Sequence, residues 1–303
     1  MEKLKVILQS KKIFVFVLAV VGIGLILIFQ QFRKDNIDTA NILTKYQVAK
    51  VMFPSLSAAE QDQVENLLRQ QVRLIVSKPN FDQSLSVTKK YKNAIRKQAG
   101  QKKFPQDLAL GVALLENGGA EDAVSSAGAA GIFQLIEGTA KTLGLKIDDT
   151  TDERLDPEKN IAAGVSYLDK NLQTFSDPGL AVWGHHAGTQ NVAKALKIYL
   201  QSLGETDAYD FVEAVNLGKL DRAKYVWRAY VTKDGLNIHK LLSSPALGPF
   251  LEGLSDETEL YPYKVAAASI LFEAAGNTEE NKFLEKIKLF NQGRILLSEL
   301  LNP

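Results

Sequence analysis

Apolar positions recur at helical spacing along almost the whole chain, and strand-like alternation is nearly absent. The first long feature has no polar face at all. Ile13 to Phe29 is an unbroken run of apolar residues and glycine, and no charge occurs between Ile13 and Phe32. A helix of that length rises about 30 Å, the thickness of a bilayer's hydrocarbon core. Lys3, Lys5, Lys11 and Lys12 precede it against only Glu2, a bias that keeps the short N-terminus in the cytoplasm and exports the remainder. The run ends in Gln30-Gln31-Phe32-Arg33-Lys34, which offers no small-x-small cleavage site. The pattern predicts a cytoplasmic segment over 1–12 and a retained transmembrane signal-anchor over 13–32, with the body of the chain on the extracytoplasmic side of the cell membrane. Gly22-x-Gly24 lacks the spacing of a helix-dimer seam and implies no dimer.

After the anchor, residues 33–100 read as a helical spacer. Ser57-Ala-Ala-Glu60 is a capping-box pattern, and Val64, Leu67, Leu68, Val72 and Ile75 follow at helical spacing. A second helix is expected over Gln83 to Ala99. Its far end carries Lys89, Lys90, Lys92, Arg96, Lys97, Lys102 and Lys103 without an acid among them, a pattern of a solvated helix end or of a face toward anionic lipid or wall polymer. Further on, Asp156-Pro157 and Asp177-Pro178 each place a capping acid before a proline at the first helical position. Ile161, Val165, Leu168 and Leu172 form a core-facing stripe after the first. Residues 233–303 read as a helical extension broken at Gly276-Asn277, with apolar faces (Val265, Ile270, Leu271; Phe283, Ile287, Leu296, Leu300) that predict packing on the main domain. The fold class is mainly α.

Composition narrows the function. Lys+Arg 36 against Asp+Glu 35 gives a net charge of +1, so no charged body advertises a nucleic-acid partner. The chain has no cysteine, which removes disulfides, thiolate catalysis and cysteine-based metal sites together.

The chemistry is read from two segments. Leu108, Leu110, Val112, Leu114 and Leu115 predict a buried helix that ends at Glu116, before Asn117-Gly118-Gly119. Desolvation and the negative helix end both disfavour a carboxylate there and raise its pKa. A glutamic acid kept protonated near neutrality is a general acid; a glutamate pointing to solvent is the alternative. Next, Ser125-Ser126-Ala127-Gly128-Ala129-Ala130-Gly131-Ile132-Phe133-Gln134 sets small residues before an apolar, aromatic and amide triplet. Gly131 would let a polymer approach, and Gln134 could hydrogen-bond a sugar; a tight loop with Phe133 in the core is the bland alternative.

Taken together these residues resemble the transglycosylase domain of soluble lytic transglycosylases, relatives of goose-type lysozymes. Glu116 matches the family's glutamate. Ser125, Gly128, Ala129, Gly131 and Gln134 match its second motif, and Thr139-Ala140 the pair that follows. Asp156-Pro157, Asn160-Ile161, Gly164 and Tyr167-Leu168 reproduce the third, Ala187-Gly188 the end of the fourth, and Tyr225 supplies a downstream tyrosine. The resemblance implies a lysozyme-like helical domain over 101–232. Four positions depart from it: Asn117 stands where serine is usual, Glu137 replaces a common proline, and His185-His186 occupies a Tyr-Asn pair. Adjacent helical residues diverge by about 100°, so these two histidines cannot chelate one ion from a regular helix, and no metal is expected. Asp148, Asp149 and Asp152 lack the calcium-loop frame and read as a solvated acidic loop.

The resemblance further implies an enzyme acting on peptidoglycan glycan strands, with no cofactor. Glu116 would cleave the β-1,4 bond after N-acetylmuramic acid and close a 1,6-anhydro ring. Ser125, Gly131, Phe133, Gln134, Tyr167, His185, His186 and Tyr225 would position the glycan. A lysozyme-type hydrolase with a second carboxylate and a catalytically silent glycan-binding scaffold are the rival expectations. No protein partner is legible in the sequence.

Overall fold

The computed structural model describes residues 41–204, 235–254 and 258–303. The candidate anchor 13–32 and Tyr225 lie outside these residues. Among the described residues, no helix is long and apolar enough to cross a membrane.

Fourteen α-helices are described. α1 (Ile42–Lys45) and α2 (Gln47–Met52) are short turns. α3 (Ala58–Val76) starts as the sequence predicts. Ser57 accepts from the Glu60 amide, and the Glu60 carboxylate accepts from the Ser57 amide at 2.7 Å. α4 (Phe81–Lys102) extends beyond its expected range at both ends. α5 (Gln106–Glu116) buries every residue from Leu108 to Leu114, so it is a core helix with Glu116 at its last position. A loop over 117–136 leads to α6 (Glu137–Thr142), then to a two-residue antiparallel hairpin, β1 (Ile147–Asp148) and β2 (Thr151–Asp152).

α7 (Pro157–Phe175) is capped by Asp156, which accepts from the amides of Glu158 and Lys159. α8 (Pro178–Ala187) is capped by Asp177, which accepts from the Leu180 amide at 2.7 Å. Both acid-before-proline starts hold. α9 (Thr189–Ser202), α10 (Ile238–Leu242) and α11 (Gly248–Glu252) lead to α12 (Tyr261–Gly276), α13 (Glu280–Asn291) and α14 (Leu297–Leu301).

The centre of the molecule is α12. Thirteen of its sixteen residues are buried, which makes it a helix without a solvent face. It packs chiefly on α5 and α3, while α5 also packs on α4, and α4 on α7. Gly111 permits the closest approach: a Cβ there would lie 2.0 Å from the Ser269 hydroxyl and 2.6 Å from the Val265 carbonyl. Helices from 33–100 and from 233–303 thus share one hydrophobic core with 101–232. The basic end of α4 is partly neutralised by acids from other elements. Lys89 pairs with Glu280 at 3.1 Å, Lys90 with Glu121 at 2.6 Å and Arg96 with Asp107 at 3.3 Å.

Candidate active site

Glu116 ends α5 at the wall of a cleft of about 600 Å³. Its Oε1 accepts a hydrogen bond of 2.6 Å from the hydroxyl of Tyr261, the first residue of α12. Burial pushes the Glu116 carboxyl up from its ordinary range, and this is the largest influence on it; the Tyr261 hydroxyl and the Lys78 cation pull it partly back. Tyr261 is itself raised well above the usual tyrosine range, first by burial and then by Glu116, so it serves as a donor. A protonated carboxyl accepts such a bond on its carbonyl oxygen, which leaves its proton on Oε2. Among the described lining residues, Glu116 is the one carboxylate. Asp122 is exposed and does not line the cleft.

The opposite wall is the 125–136 loop, and its shape comes from three side chains. Arg154, almost fully buried, pairs with Asp152 at 2.7 Å and donates to the carbonyls of Gly128 at 2.7 Å and Leu135 at 3.1 Å. Asp152 is therefore a structural partner, held below the usual carboxylate range first by Arg154, rather than part of a solvated acidic loop. Asn160 on α7 accepts from the Phe133 amide at 2.8 Å and donates to the Ala130 carbonyl at 3.0 Å. Gln134, with φ 44°, donates its amide to the Ala123 and Gly131 carbonyls at 2.9 Å each. Gln134 does line the cleft, but its nitrogen is committed to the loop, leaving the amide oxygen for a ligand.

Ser125 and Tyr167 also line the cleft. Ser125 accepts from the Ala129 amide at 3.0 Å, and Tyr167 donates to the Gly184 carbonyl at 3.1 Å. Gly131 and Phe133 do not line it. Gly131, at φ +78°, is required by internal packing, since a Cβ there would meet Asn160 at 2.2 Å and the Arg154 carbonyl at 2.3 Å. Phe133 is fully buried, with its ring where a Cβ on Gly164 would come within 2.3 Å. Both residues build the wall from behind.

The two histidines at the end of α8 have different roles. His185 Nε2 lies 3.1 Å from the Phe133 carbonyl, and its ring contacts Phe133 and Tyr167. A carbonyl only accepts, so Nε2 carries the hydrogen and Nδ1 the lone pair. Nδ1 is buried without a hydrogen-bond partner among the described residues. Burial lowers the His185 pKa to about 4, so the ring is neutral at physiological pH. His186 is exposed and lies flat on the Tyr261 ring, with centroids 4.4 Å apart.

Asn117, in the position where serine was expected, faces away from the cleft. It is fully buried, donating to the Ser84 and Ala113 carbonyls and the Thr88 hydroxyl, and it ties the end of α5 to α4. The cleft continues past Tyr167, Thr139 and Asn191 into a groove of about 740 Å³ toward Lys170 and Thr174. The functional residues missed by sequence reasoning are Tyr261 and Arg154. The Tyr261-Pro262-Tyr263 start of a mostly apolar segment was the available signal for Tyr261.

Residues 93–206 match the family model of the transglycosylase SLT domain. This segment is an SLT domain. It contains α5, the wall loop, α7, α8 and α9, whereas Tyr261 comes from beyond it. The chain is 35% identical over 82 residues to a transglycosylase of Enterobacteria phage PRD1, covering 27% of this chain and 29% of the relative. It is 30% identical over 130 residues to the soluble lytic murein transglycosylase of Escherichia coli K12, covering 41% of this chain and 20% of the relative. It is 27% identical over 148 residues to an endo-type membrane-bound lytic murein transglycosylase A of Salmonella paratyphi B, covering 43% of this chain and 73% of the relative. The chain thus spans less than a third of the length of the first two relatives.

Proposed function

We propose that this protein is a peptidoglycan lytic transglycosylase in which Glu116 is the single acid–base residue. The observation that carries the proposal is a raised glutamic acid on Tyr261, at a cleft whose described lining residues include no other carboxylate. Two-carboxylate glycosidases need a second acid to act as nucleophile or to activate water. With one group, the chemistry runs in two halves. Glu116 gives its proton to the glycosidic oxygen as the bond from the muramic anomeric carbon breaks. The substrate's own acetamido group stabilises the developing cation. The Glu116 carboxylate then takes the proton of the muramic 6-hydroxyl, whose oxygen closes on the anomeric carbon. The 1,6-anhydro ring forms without water, and Glu116 is protonated again.

Ser125, Gln134 and Tyr167 are the side chains that would orient the glycan, with the 125–136 loop as a preformed wall. The uncharged run over 13–32, preceded by lysines, supports an anchor that holds this domain outside the cytoplasmic membrane, beside its polymer substrate. Residues 1–12 would then be cytoplasmic.

The test is digestion of purified sacculi by the full-length protein, with mass spectrometry of the released muropeptides. Fragments ending in 1,6-anhydro-muramic acid support the proposal. Reducing ends would make the protein a hydrolase, and binding without release a scaffold. Protease added to intact spheroplasts should degrade the body of the chain; a protected body would reverse the topology.

A further inference from the structure

Sugar contact alone does not account for the place of His186 in the cleft. Its ring and that of Tyr261 lie within 7° of parallel, with centroids 4.4 Å apart. The ring face that rests on Tyr261 is closed to a sugar. Tyr261 is the first residue of α12, follows Leu260 with no side-chain cap, and is 3% exposed. Its hydroxyl reaches Glu116 at 2.6 Å. Rotation of the Tyr261 ring about its axis leaves that contact intact, but a tilt away from the plane of His186 removes it. Stacked aromatic pairs of this kind bias such a tilt by up to about tenfold.

We propose that His186 is a positioning residue, an aromatic platform that holds the Tyr261 ring so that its hydroxyl stays on Glu116. The claim rests on the reading of Glu116 as the acid–base group. His186 then acts through Tyr261 and touches neither the glycan nor the proton in flight. Two adjacent histidines at the end of one helix thus divide the work. His185 braces the wall loop through the Phe133 carbonyl, and His186 braces the tyrosine opposite. A flat ring is required at 186, not a titrating one.

The experiment is a double-substitution cycle on the full-length protein in detergent. His186→Ala and His186→Phe are made in the unmodified chain and in Tyr261→Phe. His186 is exposed, so these changes leave the core intact. The readouts are the titration of the Glu116 carboxyl by carbon NMR, and kcat and KM on peptidoglycan fragments. Tyr261 and Lys78 both pull the Glu116 pKa down, and only the first of these pulls is weakened when the platform is lost. His186→Ala should raise the Glu116 pKa and lower kcat up to about tenfold with KM little changed. His186→Phe should restore both, and His186→Ala should add nothing to Tyr261→Phe. A raised KM with unchanged kcat and unchanged Glu116 titration would make His186 a glycan contact and overturn the proposal. Equal losses in both backgrounds would overturn it as well. If the unmodified protein cuts no peptidoglycan, the catalytic reading fails on its own, while the Glu116 titration still decides the role of His186.

Discussion

The hydroxyl of Tyr261 donates to Glu116 at 2.6 Å across 145 residues of chain. That bond joins the last turn of α5 to the first residue of α12, and it ties Glu116 to a helix outside the segment that matches the SLT domain. Its electrostatic effect opposes burial: desolvation favours the protonated carboxyl, and the phenol favours the carboxylate. A group that must first give and then take a proton needs both forms within reach.

Tyr261→Phe removes the donor and leaves burial unopposed on that side. The Glu116 pKa should therefore rise further. The alkaline limb of the pH–rate profile, which follows ionisation of the acid, should move to higher pH. Hydrogen bonds to charged groups are worth about 1.5–3 kcal/mol, so kcat should fall roughly 10- to 100-fold. A profile that stays in place would separate Tyr261 from the chemistry.

Arg154→Gln should loosen the wall loop. The guanidinium is buried, paired with Asp152 at 2.7 Å and bonded to the Gly128 and Leu135 carbonyls. Breaking such a pair from one side destabilises by about 3 kcal/mol. Chemical denaturation should show the loss, and KM for peptidoglycan fragments should rise more than kcat falls. Unchanged stability would mean that the loop holds its shape without Arg154.

The helix starts were legible in the sequence because capping is local. Ser57, Asp156 and Asp177 each satisfy amides within three residues, and all three cap as expected. Glu116 was legible because an all-apolar helix cannot end in a carboxyl without perturbing it. Gly131 and Phe133 read as glycan contacts in the sequence and pack on the chain's own α7 in the structure, because a small or aromatic residue packed on a helix looks the same in one dimension as one packed on a ligand. Tyr261 was missed for the opposite reason. Its partner is remote in sequence, and no local period announces a contact between α5 and α12. The fit at Gly111 that allows this contact is likewise invisible until the two helices are side by side.

His185 leaves a signature in stability. Its folded-state pKa is lowered to about 4 from 6.5, so between those values the unfolded chain binds more protons than the folded one. Its contribution is therefore complete above about pH 6.5 and is lost as the pH falls toward 4. The difference in denaturation free energy between pH 5 and pH 7 should shrink in His185→Gln. Sugar binding should not follow a His185 titration between pH 5.5 and 7.5, because the ring is already neutral there. An equal pH dependence in both proteins would contradict the burial of this ring.

Glu116→Gln tests the central claim most directly. The substitution keeps the shape and the acceptor for Tyr261 but cannot deliver a proton. General acid–base assistance contributes about 10²–10⁴-fold, and the loss here should reach at least that range because the proposed mechanism uses the same group in both halves of the reaction. The variant should fold with unchanged helix content, sediment with sacculi as the unmodified protein does, and release almost no 1,6-anhydro-muropeptides when the digest is analysed by mass spectrometry. Release of anhydro products at the unmodified rate would contradict the account.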